Sequence, residues 1–93
     1  MEKTIFEVLA DCEKAVKVIK LHNRIIQLQK TAAKVARELK SVNQIAMANE
    51  AFRLYHEYGK AALRASSLAN KILDRIFEVD ESLALKLDEY LQD

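Results

Sequence analysis

One glycine and no proline occur among the 93 residues of the chain, whereas average usage predicts about eleven of the two together. Turns and long loops draw heavily on these residues, so a sheet with many connections is not compatible with the sequence. Apolar residues make up 51% and charged residues 31%, which is too apolar for a disordered chain and too charged for a membrane span. The sequence therefore predicts one soluble all-α domain over residues 1–93, with no membrane partner.

Three positions are typical of helix starts. Thr4 followed by Glu7, and Ser41 followed by Gln44, match the spacing of a capping box. Asp80 precedes an acidic residue and a row of leucines, which also favours a start. The predicted helices are at about 4–39, 43–78 and 81–91. Because the first two are so closely connected, we expect an antiparallel hairpin of two long amphipathic helices, with arms of about 54 Å, followed by a short C-terminal helix.

The second predicted helix keeps one amphipathic pattern throughout. Its charged residues from Glu50 to Glu78 fall within a sector about 120° wide on a helical wheel, and the pattern does not shift at Gly59. This predicts one continuous helix with Gly59 on its apolar side, where a small residue lets another helix approach closely. The alternative is a shorter helix that Gly59 ends as a C-terminal cap.

The apolar residues of the first predicted helix change sides along its length. One side carries Ile5, Val8, Leu9, Cys12, Val16, Ile19 and Ile26. The nearly opposite side carries Val18, Leu21, Ile25, Leu28, Ala32, Val35, Leu39 and Val42. Either the helix bends or breaks near Lys20–Asn23, or it is straight and contacts different neighbours. The only capping residue in that stretch is the asparagine, which favours the straight helix.

Both helices carry more apolar surface than one hairpin can cover. The second has two adjacent apolar rows, and a single partner helix covers only one stripe. We therefore expect self-association, most simply a two-fold dimer that forms a four-helix bundle, or a permanent complex with another protein. The predicted interface residues are Ile5, Cys12, Ile19, Leu21, Ile25, Leu28, Phe52, Tyr55, Tyr58, Gly59, Leu68 and Ile72.

No group of side chains in the sequence predicts catalysis. Cys12 and His22 lie about 15 Å apart along one helix, and the predicted hairpin places Cys12 near Lys71 and His56 near Gln27. One cysteine and two histidines exclude an intrachain disulfide and a conventional zinc finger. Cys12 and His22 are interpreted as packing residues, with a reactive thiol and a pH-sensitive interface as the alternatives. We expect a non-enzymatic protein with no cofactor or metal.

Charge is unevenly distributed along a chain whose net charge is +1. Residues 14–40 are basic and residues 78–93 are acidic. A solvated polar surface is the simplest interpretation, and contact with a nucleic-acid backbone or with an acidic protein surface are the alternatives. A straight helix would split the basic side chains between two sides. These two groups are Lys14, Lys17, Lys20 and Arg24, and Lys30, Lys34, Arg37 and Lys40.

The function predicted from these features is binding. The N-terminus does not resemble a signal peptide and the lone cysteine suits a reducing compartment, so we expect the cytoplasm of the producing cell or of a host. The sequence favours a small homo-oligomeric helical protein that contacts another protein, as an adaptor, chaperone, inhibitor or regulatory subunit. A nucleic-acid-binding protein that uses the basic surface of residues 14–40 is the alternative. No motif identifies a family.

Overall fold

A computed structural model describes residues 4–91 and shows three α-helices. Helix α1 spans Ile5–Ser41, α2 spans Ile45–Phe77 and α3 spans Glu81–Asp88. The first two pack side by side over their length, and α3 folds back chiefly onto α2. The resulting molecule measures 60 × 18 × 14 Å. The predicted all-α hairpin with a short C-terminal helix is confirmed.

Both long helices are continuous. Lys20–Asn23 lies within α1, so the alternative of a break there is wrong. Gly59 lies in the middle of α2 and does not cap a shorter helix. The unbroken amphipathic pattern therefore predicted α2 correctly, because one glycine in the middle of a helix lowers its stability by only about 1 kcal/mol.

Two of the three predicted helix starts carry the expected caps. The hydroxyl oxygen of Thr4 accepts a hydrogen bond from the backbone N–H of Glu7 at 3.2 Å. The carboxylate of Asp80 accepts one from the backbone N–H of Leu83 at 3.1 Å. Each bond satisfies an N–H group that the helix itself leaves unpaired, which stabilises the start of α1 and of α3.

The predicted capping box at Ser41 is wrong. Ser41 is the last residue of α1, and its hydroxyl donates to the backbone carbonyl of Glu38 at 2.7 Å. Helix α2 begins at Ile45 after Gln44, whose side chain makes no capping hydrogen bond. The Ser41 hydroxyl is thus used to finish the first helix and not to start the second.

The turn is made by Asn43, which adopts a left-handed conformation with φ 64°. The N–H of Asn43 donates to the carbonyl of Lys40 at 3.1 Å, and the N–H of Gln44 donates to that of Leu39 at 2.9 Å. This pair of hydrogen bonds is a Schellman motif, which ends a helix and reverses the chain. The hairpin therefore turns about two residues later than the sequence pattern suggested.

The later turn shifts the register between α1 and α2. The guanidinium Nη2 of Arg75 lies 3.7 Å from Oδ1 of Asp11, and the side chain of Gln29 lies against Gly59. Each of these pairs is about one helical turn beyond the register predicted from the sequence. The register is common to the whole hairpin because both helices are continuous.

Two contacts predicted with the earlier register are consequently wrong. Cys12 packs against the cluster that contains Leu73, Ile76 and Ala84 and is not opposite Lys71. His56 was predicted to lie near Gln27, but it shares a groove with Gln29 and not with Gln27.

Alanine makes most of the contact between α1 and α2. Within residues 4–91, nine of the fourteen buried apolar residues are alanine, and the other five are isoleucine or leucine. The larger ones gather mainly at the open end of the hairpin, where Leu83, Ala84 and Leu87 of α3 pack against α1 and α2. Because alanine occupies little volume, the long helices pack closely, and many larger apolar side chains project from the hairpin instead of into it.

Candidate interaction surface

Helix α3 covers one face of the hairpin at its open end, and we call this the α3 face. Leu87 and Tyr90 lie beside Ile19 and Asn23 of α1, and Ala84 lies beside Leu73 of α2. The side-chain amide of Asn23 also donates a hydrogen bond to the backbone carbonyl of Tyr90 at 2.7 Å. The segment after α2 is therefore attached to both long helices.

The opposite side of the hairpin carries two parallel apolar rows, one on each long helix. Each row borders the α1–α2 contact on the side away from α3, and its small members Ala32, Ala51 and Ala65 are buried in that contact. Together they form one surface, which we call the apolar face. Its α1 row is Val18, Leu21, Ile25, Leu28, Ala32, Val35, Leu39 and Val42, and its α2 row is Met47, Ala51, Leu54, Tyr58, Ala61, Ala65, Leu68 and Ile72.

Large side chains on the apolar face are exposed along its whole length. Leu21 is 55% exposed, Val42 65%, Met47 58% and Leu68 49%. Both rows advance by alternate steps of three and four residues, which is the heptad pattern of helices that pack against further helices. The face extends about 36 Å along the helices, from 1.5 Å per residue, and the hairpin is 18 Å wide. These dimensions suit a continuous helical partner.

The structure places half of the predicted interface residues on this face. Those in its two rows are Leu21, Ile25, Leu28, Tyr58, Leu68 and Ile72, of which Ile72 is buried in the core cluster with Leu73 and Ile76. Ile19 is buried between the long helices, and Cys12 is half-buried beneath α3. Phe52, Tyr55 and Gly59 are half-buried nearer the α3 face, and Ile5 is exposed at the start of α1.

The sequence-based set omits several members of the apolar face. The prediction did not include Val35, Val42, Met47, Leu54 and Ala61 among the interface residues. Their signal is the heptad spacing that they share with the predicted residues. Whether both rows lie on one face depends on the register between α1 and α2 and on the position of α3. The heptad spacing of each helix determines neither of these.

His22 is a buried packing residue that also takes part in a short hydrogen-bond chain. Its Nδ1 lies 3.1 Å from Oδ1 of Asn23, whose amide donates to Tyr90. An amide oxygen can only accept, so Nδ1 of the imidazole carries the proton and donates. The ring thereby helps to orient the side chain that holds the C-terminal segment.

Cys12 lies in surroundings that disfavour its reactive form. Burial raises the pKa of the Cys12 thiol, and the nearby carboxylates of Asp11 and Asp80 raise it further. The thiolate is the nucleophilic form of cysteine, so a raised pKa keeps Cys12 protonated and unreactive near neutral pH. This environment supports the interpretation of Cys12 as a packing residue.

A groove of about 670 Å³ runs along the α3 face between the long helices. It contains His22 and His56 but not the thiol of Cys12. Its Ser66 hydroxyl donates to the backbone carbonyl of Leu63 at 3.0 Å, so it is not activated by either histidine. The groove therefore shows no nucleophile paired with a base.

Two further features are absent from residues 4–91. No three histidine, cysteine, aspartate or glutamate side chains in this range lie together as a metal ion would require. Over the same range, none of the helices contains an apolar stretch that could span a lipid bilayer.

The basic side chains of α1 are all exposed and are divided between two sides of the molecule. Lys17 and Arg24 lie along the outer edge of the apolar face, whereas Lys30 and Arg37 line a small groove with Tyr55 on the α3 face. Because α1 is continuous, one chain does not present these cations as a single surface. The eight side chains of these two groups are Lys14, Lys17, Lys20, Arg24, Lys30, Lys34, Arg37 and Lys40.

Comparisons with known proteins give no match to a family, a curated protein or a solved structure. The apolar face and the charges around it are therefore the features of the molecule that bear on its function.

Proposed function

We propose that this protein is a non-enzymatic binding protein that works through protein–protein contact at its apolar face and forms a homo-oligomer. The single observation that supports this proposal is a set of seven large apolar side chains that are exposed on one hairpin face, with α3 on the opposite side: Leu21, Leu28, Val35, Val42, Met47, Leu54 and Leu68. An adaptor, chaperone, inhibitor or regulatory subunit would use such a face. The single cysteine suits a reducing compartment, so the cytoplasm stays the predicted location.

The size of the apolar face favours a stable contact over a transient one. A surface about 36 Å long and 18 Å wide approaches the roughly 800 Å² per partner of a standard interface. Fully burying an exposed leucine or isoleucine contributes about 1.5–3 kcal/mol, although association must first offset lost translational and rotational freedom. Several such side chains in one continuous patch can provide this free energy.

Sedimentation equilibrium at micromolar concentration tests the proposal. Wild-type protein should have at least twice the 10.6 kDa of one chain. Changing Leu28→Glu together with Leu54→Glu places charges in the middle of the apolar face and should produce monomers, because buried unpaired carboxylates are costly.

Leu63→Glu is the matched control for this experiment. Leu63 is also an exposed leucine of α2, at 71%, but it lies beside the groove of the α3 face. This variant should keep the wild-type mass. A monomeric wild type, or equal dissociation by Leu63→Glu, would contradict a homo-oligomer formed through the apolar face.

A further inference from the structure

A regular charge pattern follows the two outer edges of the apolar face. Each edge consists of the residues that directly precede every second member of the apolar row, at the heptad position that flanks a helix-helix contact. All of these side chains are exposed. The α1 edge is Lys17, Arg24, Thr31 and Glu38, and the α2 edge is Glu50, Glu57, Arg64 and Lys71.

Both edges change sign along the molecule in the same direction. Since Gln29 lies opposite Gly59, Lys17 is level with Lys71 near the open end, and Glu38 is level with Glu50 near the turn. The edges of the apolar face are therefore positive toward the open end and negative toward the turn. A helical partner with charges at matching positions can place opposite charges beside both edges in only one of its two orientations.

We infer that the apolar face binds a second copy of this chain in the reversed orientation, with the turn of each copy over the open end of the other. This inference rests on the proposed homo-oligomer and adds its geometry. Helix α1 then packs antiparallel against α1 of the other copy, and α2 against α2. The two-fold axis passes near Leu28 of α1 and between Lys60 and Ala61 of α2.

Reversal pairs opposite charges along both edges. Glu50 meets Lys71 of the partner subunit, and Glu57 meets Arg64 of the partner subunit. On the other edge, Glu38 meets Lys17 of the partner subunit, and each pair occurs twice by symmetry. A single position of the two-fold axis pairs the opposite charges on both edges. This follows from the register between α1 and α2 that the contact of Gln29 with Gly59 defines within each hairpin.

The other two-fold arrangement, with turn over turn, pairs like charges instead. It stacks α1 on α2, so that Lys17 meets Lys71 of the partner subunit and Arg24 meets Arg64 of the partner subunit. Glu38 then meets Glu50 of the partner subunit. Like charges at such edges are unfavourable, and they act mainly by excluding wrong pairings.

The apolar rows can pack in the reversed arrangement. Leu54 comes opposite Ala65 of the partner subunit, and Tyr58 comes opposite Ala61 of the partner subunit, so large side chains meet small ones. Within one chain, Glu50 already pairs with Arg53, and Glu57 lies 3.7 Å from Lys60. A carboxylate accepts several hydrogen bonds, so these exposed pairs leave room for a second cation.

Distance measurements between spin labels distinguish the two arrangements. In a Cys12→Ala background, a nitroxide on Ser41→Cys marks the turn, and one on Ser82→Cys in a second sample marks the open end. Reversal predicts about 40 Å between the two turn labels, from 1.5 Å per residue on each side of the axis, and a still longer distance between the open-end labels. Turn-over-turn packing predicts less than about 20 Å between the turn labels, because packed helices lie 8–10 Å apart.

Charge reversal gives an independent check. Glu50→Lys with Glu57→Lys should weaken dimerisation about ten-fold at low salt, and adding Arg64→Glu with Lys71→Glu should restore it. In turn-over-turn packing the first pair of changes would strengthen the dimer, because it would place lysine beside Glu38 of the partner subunit.

The outcomes separate this inference from the proposed function. A dimer with turn labels less than about 20 Å apart, or a dimer strengthened by the first charge reversal, overturns the reversed orientation and leaves the homo-oligomer intact. A wild type that stays monomeric at micromolar concentration overturns both.

Discussion

Asn43 determines where the hairpin turns, since it is the residue between the long helices that adopts positive φ. A left-handed conformation costs about 1–2 kcal/mol for most residues, and less for asparagine and glycine. Asn43→Gly should therefore raise the free energy of unfolding by up to about 1 kcal/mol, and Asn43→Val should lower it by about 1–2 kcal/mol. Chemical denaturation at one fixed protein concentration measures both. Equal effects of the two variants would contradict a turn that depends on this conformation.

The surroundings of Gly59 differ from the close contact with another helix that its place in an apolar row predicted. A Cβ atom added there would lie 2.9 Å from the amide nitrogen of Gln29, which is the end of a flexible side chain and not the backbone of a packed helix. Gly59→Ala should therefore stabilise the protein by about 0.5–1 kcal/mol through better helix propensity, once that amide rotates away. Chemical denaturation would measure this change.

Gln29→Ala is the control background for the glycine substitution. With the amide removed, Gly59→Ala should give the same gain or a larger one. A loss of stability in the wild-type background that disappears in the Gln29→Ala background would show that the amide cannot move.

At the scale of one element, α3 is held by a cap and a small apolar contact, and the segment after it is held by a hydrogen bond from Asn23 of α1 to Tyr90. Asp80→Ala removes the cap, which costs about 1 kcal/mol, and should make transient detachment of α3 about five-fold more frequent. Cys12 lies beneath α3, so its alkylation rate by iodoacetamide should rise by a similar factor. The rate should also keep rising with pH beyond the usual thiol pKa of about 8.5, because the pKa of Cys12 is raised.

Asp80→Asn separates the cap from the charge. Asparagine retains an oxygen that can accept from the N–H of Leu83 but removes the carboxylate that raises the pKa of Cys12. This variant should accelerate alkylation much less than Asp80→Ala does. Equal acceleration by both would mean that charge, and not the docking of α3, controls access to the thiol.

Helix boundaries were predictable where one local interaction decides them. The caps at Thr4 and Asp80 each involve a side chain and an N–H three residues later, so the sequence contains all the necessary information. Ser41 followed by Gln44 has the same spacing, but the backbone ends α1 with a Schellman motif around Asn43. A serine in the last turn of one helix and a serine before the next are not distinguished by spacing alone.

The apolar face was predictable only as two separate rows. The spacing from Val18 to Val42 and from Ala51 to Ile72 is visible in the sequence. That both rows share one side of the hairpin depends on a register set by Asn43 and on the side to which α3 folds. These are consequences of tertiary packing, which the periodicity of a single helix does not contain.

As a whole molecule, the hairpin buries small side chains and exposes large ones. Its buried apolar residues are mostly alanine, whereas sixteen large apolar or aromatic side chains within residues 4–91 are exposed. A small domain with such a core has little stability to spare, since burial of large apolar groups is the main favourable term in folding. Association through the apolar face would add the burial that one chain lacks, which makes oligomerisation part of the proposed fold energetics.

The reversed dimer also bears on the alternative function, nucleic-acid binding. It would pair Lys17 with Glu38 of the partner subunit and leave Lys30, Lys34 and Arg37 on the outward α3 side of each hairpin, so no continuous basic surface forms. We therefore expect no binding to duplex or single-stranded nucleic acid tighter than about 10 μM near physiological salt, within the range where nonspecific binders already act. Fluorescence anisotropy over a salt series measures this affinity.

A triple variant with Lys30→Glu, Lys34→Glu and Arg37→Glu is the control for this prediction. These three residues lie away from the proposed interface, so the changes should affect neither dimerisation nor nucleic-acid binding. Submicromolar binding that falls steeply with salt, by about 0.9 in log K per log salt for each phosphate contacted, and that these changes abolish, would establish the alternative function.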